Sequence, residues 1–117
     1  MKTEHRQFKR VSFISSLSIN DGQHQSVAQV LDLSLKGIHF SKPDNCQLSL
    51  DNKIEIVLHL DSDHDIFMKV SLIRQTQHGF SGYWNEIDGE SFTRLKRLLV
   101  LNLGSEELIE REVKELL

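Results

Sequence analysis

The sequence predicts a mainly β protein, an antiparallel sheet or small barrel of about six strands followed by two helices. Short segments in which apolar and polar residues alternate follow one another from residue 11 to about residue 87, with turn residues between them. No helical pattern of about 10 to 15 residues separates these segments, which argues against a parallel α/β fold. After residue 90 the apolar residues recur at helical spacing instead.

Each strand is predicted from its own alternation and from the turn that follows it. The first is expected to bury Val11 and Phe13, and the second to place Val27, Leu31 and Leu33 on one face. Asn20-Asp21-Gly22 and the segment around Pro43 are turn signals. The predicted strands cover residues 11–19, 26–33, 37–41, 53–60, 66–77 and 79–87.

Two helices are predicted after the last strand. Gly104 is a typical C-terminal stop, and Ser105 is expected to be the N-cap of the second helix. That helix has an apolar stripe, so it either packs on its own barrel or contacts a second copy or a partner. The residues at helical spacing are Phe92, Leu95, Leu98, Leu99 and Leu103 in the first helix, and Ile109, Val113, Leu116 and Leu117 in the second.

Composition and charge narrow the function classes. A chain of 117 residues suits one domain, and its net charge of −3 and pI of about 6.0 differ from those of a sequence-independent nucleic-acid binder, whose pI is usually above about 9. Aromatic residues make up only 7%, which disfavours an RNA or single-stranded DNA barrel with stacking platforms. The front of the chain is locally basic, and this favours a small anion over a nucleic acid polymer as partner.

The sequence gives no sign of a membrane or secretory segment. No apolar run approaches the roughly 20 residues that cross a bilayer, and the first residues lack a signal-peptide layout. We therefore expect a cytoplasmic protein without membrane insertion. Cys46 is the only cysteine, so no internal disulfide is expected.

The sequence contains no convincing catalytic or metal-binding motif. The segment "HLDSDHD" at 59–65 is rich in metal ligands, but its histidines lack zincin spacing. Asp61, Asp63 and Asp65 resemble the start of a calcium loop, yet Ile66 and Leu72 stand where that loop needs Gly and Glu. We expect a solvated hairpin loop there, no metal site and no enzyme activity.

Two motifs remain that could bind a ligand. Arg6 and Arg10 supply planar donors for phosphate or guanine. Asp32 and Ser34 face the same side of a strand and match the donors and carbonyl of a guanine edge. Gly37 permits either a backbone conformation that other residues resist or a close approach of the ligand. The residues alone leave two interpretations open: a guanine nucleotide site, or a solvated tail beside a capped turn.

The same motifs resemble those of the PilZ domain family. "RQFKR" at 6–10 matches the family's Arg-x-x-x-Arg, and "DLSLKG" at 32–37 matches its (Asp/Asn)-x-Ser-x-x-Gly. "GIHFS" continues in the family's manner, and "GYWNEIDGESFTRLKRLL" is similar to its last strand and C-terminal helix. The resemblance implies a six-stranded antiparallel PilZ-type β-barrel with one or two C-terminal α-helices, which binds cyclic di-GMP.

The resemblance also implies roles for particular residues. Arg6 and Arg10 would hold phosphate and guanine from a flexible N-terminal segment, while Asp32 and Ser34, with the motif's glycine, would hold a guanine from the barrel. His5 stands where many members have a further arginine, and it either stacks on a base as a peripheral contact or contributes nothing.

The resulting prediction is a cyclic di-GMP receptor and adaptor rather than an enzyme. Residues 1–10 form the flexible ligand-binding segment, 11–104 the barrel with its helix, and 105–117 an extra helix. Ligand binding would reorder the first segment and signal to a protein partner from motility, secretion, polysaccharide or regulatory machinery. The alternative is a PilZ-like interaction module that binds no nucleotide.

Overall fold

Within residues 8–12, 14–44, 48–60 and 64–116, which the computed structural model describes, six strands are followed by two helices. The strands are β1 Ser16–Asn20, β2 Gln25–Leu33, β3 Gly37–Ser41, β4 Lys53–His59, β5 Asp65–Gln75 and β6 Gly79–Ile87. The helices are α1 Gly89–Leu103 and α2 Glu106–Leu116.

The strands form a closed barrel in the order β1-β2-β3-β6-β5-β4, and every neighbouring pair is antiparallel. β1 pairs with both β2 and β4, and this pairing closes the sheet without a free edge. The predicted six-stranded antiparallel barrel with C-terminal helices is confirmed, and the open sheet is excluded.

The barrel interior is filled by the apolar side of each strand. β4 shows the simplest case, because Ile54, Ile56 and Leu58 are buried while Lys53 and Glu55 point outward. The largest fully buried side chains are Phe40, Leu17, Ile19, Leu33, Leu35, Ile54, Ile56, Leu58, Ile66, Met68, Leu72 and Leu95.

The predicted face of β2 is wrong in its first half. Ala28 and Val30 point inward with Ser26, whereas Val27 is 59% exposed. Ala28 lies opposite the fully buried Leu17 of β1, so a small residue leaves room for a large one. A register shift between Val30 and Asp32 then changes the phase of alternation.

The first strand begins later than its alternation predicts. β1 starts at Ser16, while Val11 forms an isolated bridge to Leu33. Two backbone hydrogen bonds of 2.8 and 2.9 Å join Val11 and Leu33, so this part of the chain is fixed at the end of β2. Ile14 between the two elements is almost fully exposed, and the predicted burial of Phe13 lies outside the described residues.

Both helix boundaries follow from capping groups. Asp88 accepts the Ser91 N–H at 3.0 Å and caps α1, and hydrogen bonds from the Ser91 side chain and backbone hold the pKa of the Asp88 carboxyl below its usual range. Gly104 ends α1 with φ 71°, a left-handed conformation that favours glycine. Ser105 accepts the Leu108 N–H at 3.0 Å, which confirms it as the N-cap of α2.

α2 packs on its own domain through one face. Ile109 is buried in the main core, and Val113 and Leu116 pack against that core. Between them lies Glu112, whose side chain is buried although its charge favours solvent. One of its carboxylate oxygens, Oε2, accepts the Lys9 backbone N–H at 2.8 Å. The helix therefore contacts the N-terminal segment as well as the barrel.

Candidate functional site

One polar cleft on the barrel brings together residues from both sequence motifs. Arg10, Asp32, Ser34 and Gly37 line it. The remaining lining residues come from β3, β5 and β6: Ile38, His39, Ile73, Arg74, Ser81, Gly82 and Tyr83. Its volume is about 50 Å³, which is room for a few water molecules. A nucleotide would therefore lie across the cleft and need a cover from another segment.

Arg10 and Asp32 form an ion pair across this cleft. Arg10 Nη1 lies 3.6 Å from Asp32 Oδ1, and the two side chains are 39% and 23% exposed. An ion pair of this exposure is worth about 1 kcal/mol or less, because water screens it. A ligand that makes charge-assisted hydrogen bonds to both groups can therefore displace it.

Ser34 closes the turn that joins β2 to β3. Its Oγ accepts the Gly37 N–H at 3.0 Å, and its own N–H donates to the Gly37 carbonyl at 2.9 Å. Ser34 is buried on average, yet it lines the cleft. The capped turn is therefore confirmed, and the same serine lines the cleft, where its role towards a ligand stays a prediction.

Gly37 lies close to β6. Its φ is not positive, so the expectation of an unusual backbone conformation is wrong. A Cβ added to Gly37 would lie 3.1 Å from Tyr83 Cδ1 and 3.2 Å from the Gly82 carbonyl oxygen. The Tyr83 ring and the β6 backbone therefore approach Gly37 closely, and the close approach of a ligand stays a prediction.

Trp84 supports the same turn from β6. Its indole N–H donates to the Leu35 carbonyl at 2.8 Å, and its backbone N–H donates to the Lys36 carbonyl at 3.2 Å. Lys36 Nζ lies 4.0 Å from the centroid of the Trp84 ring, in a cation–π contact. Both backbone carbonyls at the centre of the turn thus have partners, which fixes one wall of the cleft.

Sequence reasoning missed the cleft residues contributed by β3, β5 and β6. Arg74 adds a second cation to the lining, Tyr83 is half-exposed and adds an aromatic face, and His39 contacts Asp32. Strict alternation after the buried Val70 and Leu72 would place Arg74 on the inner face of β5. The register shift between Leu72 and Arg74 exposes it instead, and nothing local links it to residue 32. The pairings Arg74↔Ser81, His39↔Ser81 and Asp32↔His39 bring these residues together.

Two residues named from the motifs lie outside the described part of the chain. His5 and Arg6 belong to residues 1–7, so their roles stay predictions. The residues that follow contact the rest of the domain: Phe8 packs against the core, the Lys9 N–H reaches Glu112 of α2, and Arg10 reaches Asp32. Residues 8–10 thus lie against the body of the domain, with Arg10 at the cleft.

A second polar cluster lies on the outer face of β1, β4 and β5. Ser18 Oγ is 2.8 Å from His59 Nε2, and His59 Nδ1 is 3.4 Å from Asp65 Oδ1. The order resembles a Ser-His-Asp triad, but catalysis also needs donors for an oxyanion. β1 pairs on both edges, at Ser18↔Val27 and Ser18↔Val57, so the backbone N–H groups around this hydroxyl are used by the sheet.

The described residues contain neither a metal-ligand cluster nor a membrane-spanning helix. Among the described residues, no group of three or more His, Cys, Asp or Glu side chains could hold a metal ion. Asp61 and Asp63 of the predicted hairpin loop fall outside those residues, so the expectation for that loop stays a prediction. In the same part of the chain neither helix is both long and apolar enough to cross a membrane.

The fold and the cleft define a class of protein: a closed, six-stranded antiparallel barrel with C-terminal helices and a polar cleft beside its N-terminal segment. Residues 4–101 match the family model of the PilZ domain, and the chain belongs to the PilZ domain family.

Three solved structures have a similar fold. The inhibitor of motility MotI/DgrA of Bacillus subtilis matches with a TM-score of 0.73 and 13% identity over 92% of this chain, which spans 55% of that protein. The PilZ domain of CeSA from a cellulose-synthesizing bacterium matches with a TM-score of 0.61 and 17% identity over 82% of this chain and 96% of that one. The PilZ domain of YcgR from Escherichia coli, solved with c-di-GMP, matches with a TM-score of 0.60 and 17% identity over 96% of this chain and 96% of that one.

Proposed function

We propose that this chain is a cytoplasmic receptor for cyclic di-GMP that acts as an adaptor and not as an enzyme. The observation that carries the proposal is the convergence of Arg10, Asp32 and Ser34 on one cleft, although the first is 22 residues from the second along the chain. Membership of the PilZ family and the c-di-GMP in the YcgR structure supply the identity of the ligand.

The chemistry of the cleft suits a guanine nucleotide. Asp32 offers carboxylate oxygens to the N–H donors of a guanine edge, and Ser34 offers a hydroxyl beside it. Arg10 and Arg74 offer guanidinium groups that match phosphate oxygens or the O6 and N7 acceptors of guanine. The half-exposed ring of Tyr83 offers an apolar face to a base.

The N-terminal segment, residues 1–10, serves in this proposal as the cover that the shallow cleft lacks. Arg6 and Arg10 close over the ligand, and His5 adds a peripheral contact. Arg10 exchanges its ion pair with Asp32 for the ligand, at a cost of about 1 kcal/mol or less. Charge-assisted hydrogen bonds to the nucleotide, worth roughly 1.5–3 kcal/mol each, exceed that cost.

The extra helix, residues 105–117, transmits the change to an unidentified protein partner of motility, secretion, polysaccharide or regulatory machinery. Support comes from Glu112, which accepts the Lys9 N–H directly beside Arg10. A movement of the segment therefore changes the hydrogen bond that it makes with α2. The body of the receptor is the unit of residues 11–104.

Calorimetric titration with cyclic di-GMP tests the proposal. We expect binding in the low micromolar range or tighter, and none of cyclic di-AMP, because the adenine edge presents an acceptor where guanine presents an N–H donor. Asp32→Ala should weaken binding by about 10-fold or more, and the exposed control Asp44→Ala should not. A folded wild-type protein that fails to bind cyclic di-GMP at tens of micromolar refutes the proposal and favours the nucleotide-free interaction module.

A further inference from the structure

A chain of side-chain hydrogen bonds runs from the β5–β6 turn into the cleft. His39 Nδ1 lies 3.0 Å from Asp32 Oδ2, and His39 Nε2 lies 2.8 Å from Thr76 Oγ1. His39 is only 17% exposed, and both of its ring nitrogens have a partner. The imidazole therefore connects the carboxylate of the cleft to a turn that lies 44 residues further along the chain.

The turn determines which ring nitrogen of His39 carries the proton. Thr76 Oγ1 accepts the Gly79 N–H at 3.0 Å and the His78 N–H at 3.3 Å. A hydroxyl has two lone pairs and one proton, so with both lone pairs occupied Thr76 must act as the donor to His39 Nε2. Nε2 is then the acceptor, and the proton of the neutral ring lies on Nδ1, which donates to Asp32.

The turn itself is held rigidly. The Thr76 N–H donates to the Gly79 carbonyl at 2.7 Å, and a Cβ on Gly79 would lie 1.9 Å from the Phe40 carbonyl oxygen. No other residue fits at that position without moving the backbone of β3. The two N–H groups that occupy the Thr76 lone pairs are thus fixed by the packing of β6 on β3.

We infer that His39 is a positioning residue of this site, held in its Nδ1–H tautomer by Thr76 so that its N–H orients the carboxylate of Asp32. The inference rests on the proposed function for its binding readout. In the cleft, Asp32 contacts Arg10 through Oδ1 and His39 through Oδ2. When Arg10 turns to the ligand, His39 is the partner that remains and keeps the carboxylate in place for the guanine edge.

Two substitutions of His39 test the contacts of its two ring nitrogens separately. The amide nitrogen of Asn is bonded to Cγ, as His Nδ1 is, so His39→Asn retains a donor towards Asp32. The amide of Gln is one bond further out, near the position of Nε2, so His39→Gln loses that donor but keeps a polar group near Thr76. We expect His39→Gln to bind cyclic di-GMP about 3- to 10-fold more weakly than wild type and His39→Asn to bind within about 2-fold.

Thr76 provides the matched pair at the other end. Thr76→Val has nearly the same shape without a hydroxyl, and Thr76→Ser keeps the hydroxyl. In Thr76→Val the ring loses the donor to Nε2, so the tautomers mix and affinity falls by about 2- to 5-fold, while Thr76→Ser restores it. Melting temperatures of all variants identify any loss that comes from unfolding.

Nitrogen-15 NMR of the His39 ring in the free wild-type protein reads the tautomer directly. A protonated Nδ1 and an unprotonated Nε2 support the inference, and the reverse tautomer overturns it. If wild type binds cyclic di-GMP and folded His39→Gln binds equally well, the positioning role is overturned and the proposed function stands. If wild type does not bind, the proposed function and the positioning role both fail.

Discussion

Replacing Gly37 by alanine should weaken ligand binding while leaving the stability of the fold nearly unchanged. The new Cβ would lie 3.1 Å from Tyr83 Cδ1 and 3.2 Å from the Gly82 carbonyl oxygen, closer than the optimum of about 3.5–4.0 Å for non-bonded carbon atoms. The Tyr83 side chain is half-exposed, so its ring can turn outward, and the strain should stay near 1 kcal/mol. Gly→Ala also removes unfolded-state entropy worth about 0.4–1 kcal/mol, so the melting temperature should move by less than about 4 °C.

The effect on the ligand should be much larger, because the ring that must move is a wall of the cleft. The cleft has a volume of only about 50 Å³, so a small displacement of this ring changes the space that is left for a ligand. One extra carbon in a fitted pocket costs about 10- to 200-fold in discrimination. We therefore expect Gly37→Ala to weaken cyclic di-GMP binding by at least about 10-fold.

The assay is calorimetric titration beside thermal melting, with Gly89→Ala as the control. Gly89 begins α1, and a Cβ there meets nothing within 4 Å, so this substitution should leave affinity unchanged. A folded Gly37→Ala protein that binds as tightly as wild type would refute the account of the cleft wall. A drop in melting temperature of about 10 °C would refute the estimate that the Tyr83 ring yields.

Three further substitutions have distinct expected results. Arg10→Ala should weaken cyclic di-GMP binding by about 10- to 150-fold and flatten its salt dependence, whereas the control Arg111→Ala, at an exposed position of α2, should do neither. Titration at two salt concentrations measures both effects, and unchanged binding by Arg10→Ala would contradict the role of Arg10. Ser34→Ala removes the acceptor of the Gly37 N–H, so the ligand-free melting temperature should fall by about 2–6 °C, and the affinity for cyclic di-GMP should fall by about 2- to 12-fold. An unchanged melting curve would contradict the role of Ser34 in closing the turn. Glu112→Ala should lower the melting temperature and speed tryptic cleavage of the N-terminal segment, because it removes the acceptor of the Lys9 N–H. Glu112→Gln keeps an acceptor and should return the melting temperature and the cleavage rate to wild-type values. Equal cleavage rates in the two variants would contradict the idea that this hydrogen bond holds the segment to α2.

The strand pattern and the turn chemistry were readable from the sequence. "KIEIVLHL" alternates at every position except Val57, and β4 buries the expected Ile54, Ile56 and Leu58. Gly104 and Ser105 predicted the end of α1 and the start of α2, because left-handed backbone and N-capping are properties of single residues. Residues 79–87 were predicted with the bounds that β6 has. These features are local, so local chemistry determines them.

Burial along β2 was not readable in the same way. Val27 is more apolar than Ser26, and alternation alone would bury it. The pairing of Ala28 with Leu17 and the register shift beyond Val30 decide the face instead, and both depend on the neighbouring strands. The burial of Glu112 is a similar case, because only the folded chain brings the Lys9 N–H to its carboxylate.

By itself, the sequence determined the order of the elements and four of the eleven residues that line the cleft, since Arg10 and the segment from Asp32 to Gly37 are recognisable motifs. Only the tertiary structure decided what surrounds them. Closure of the barrel places His39 and Tyr83 at the same cleft through strand pairings that span tens of residues, and no local pattern records such pairings. Motif residues carry their chemistry in their own side chains, whereas the residues that orient them act through distances that exist only once the barrel has closed.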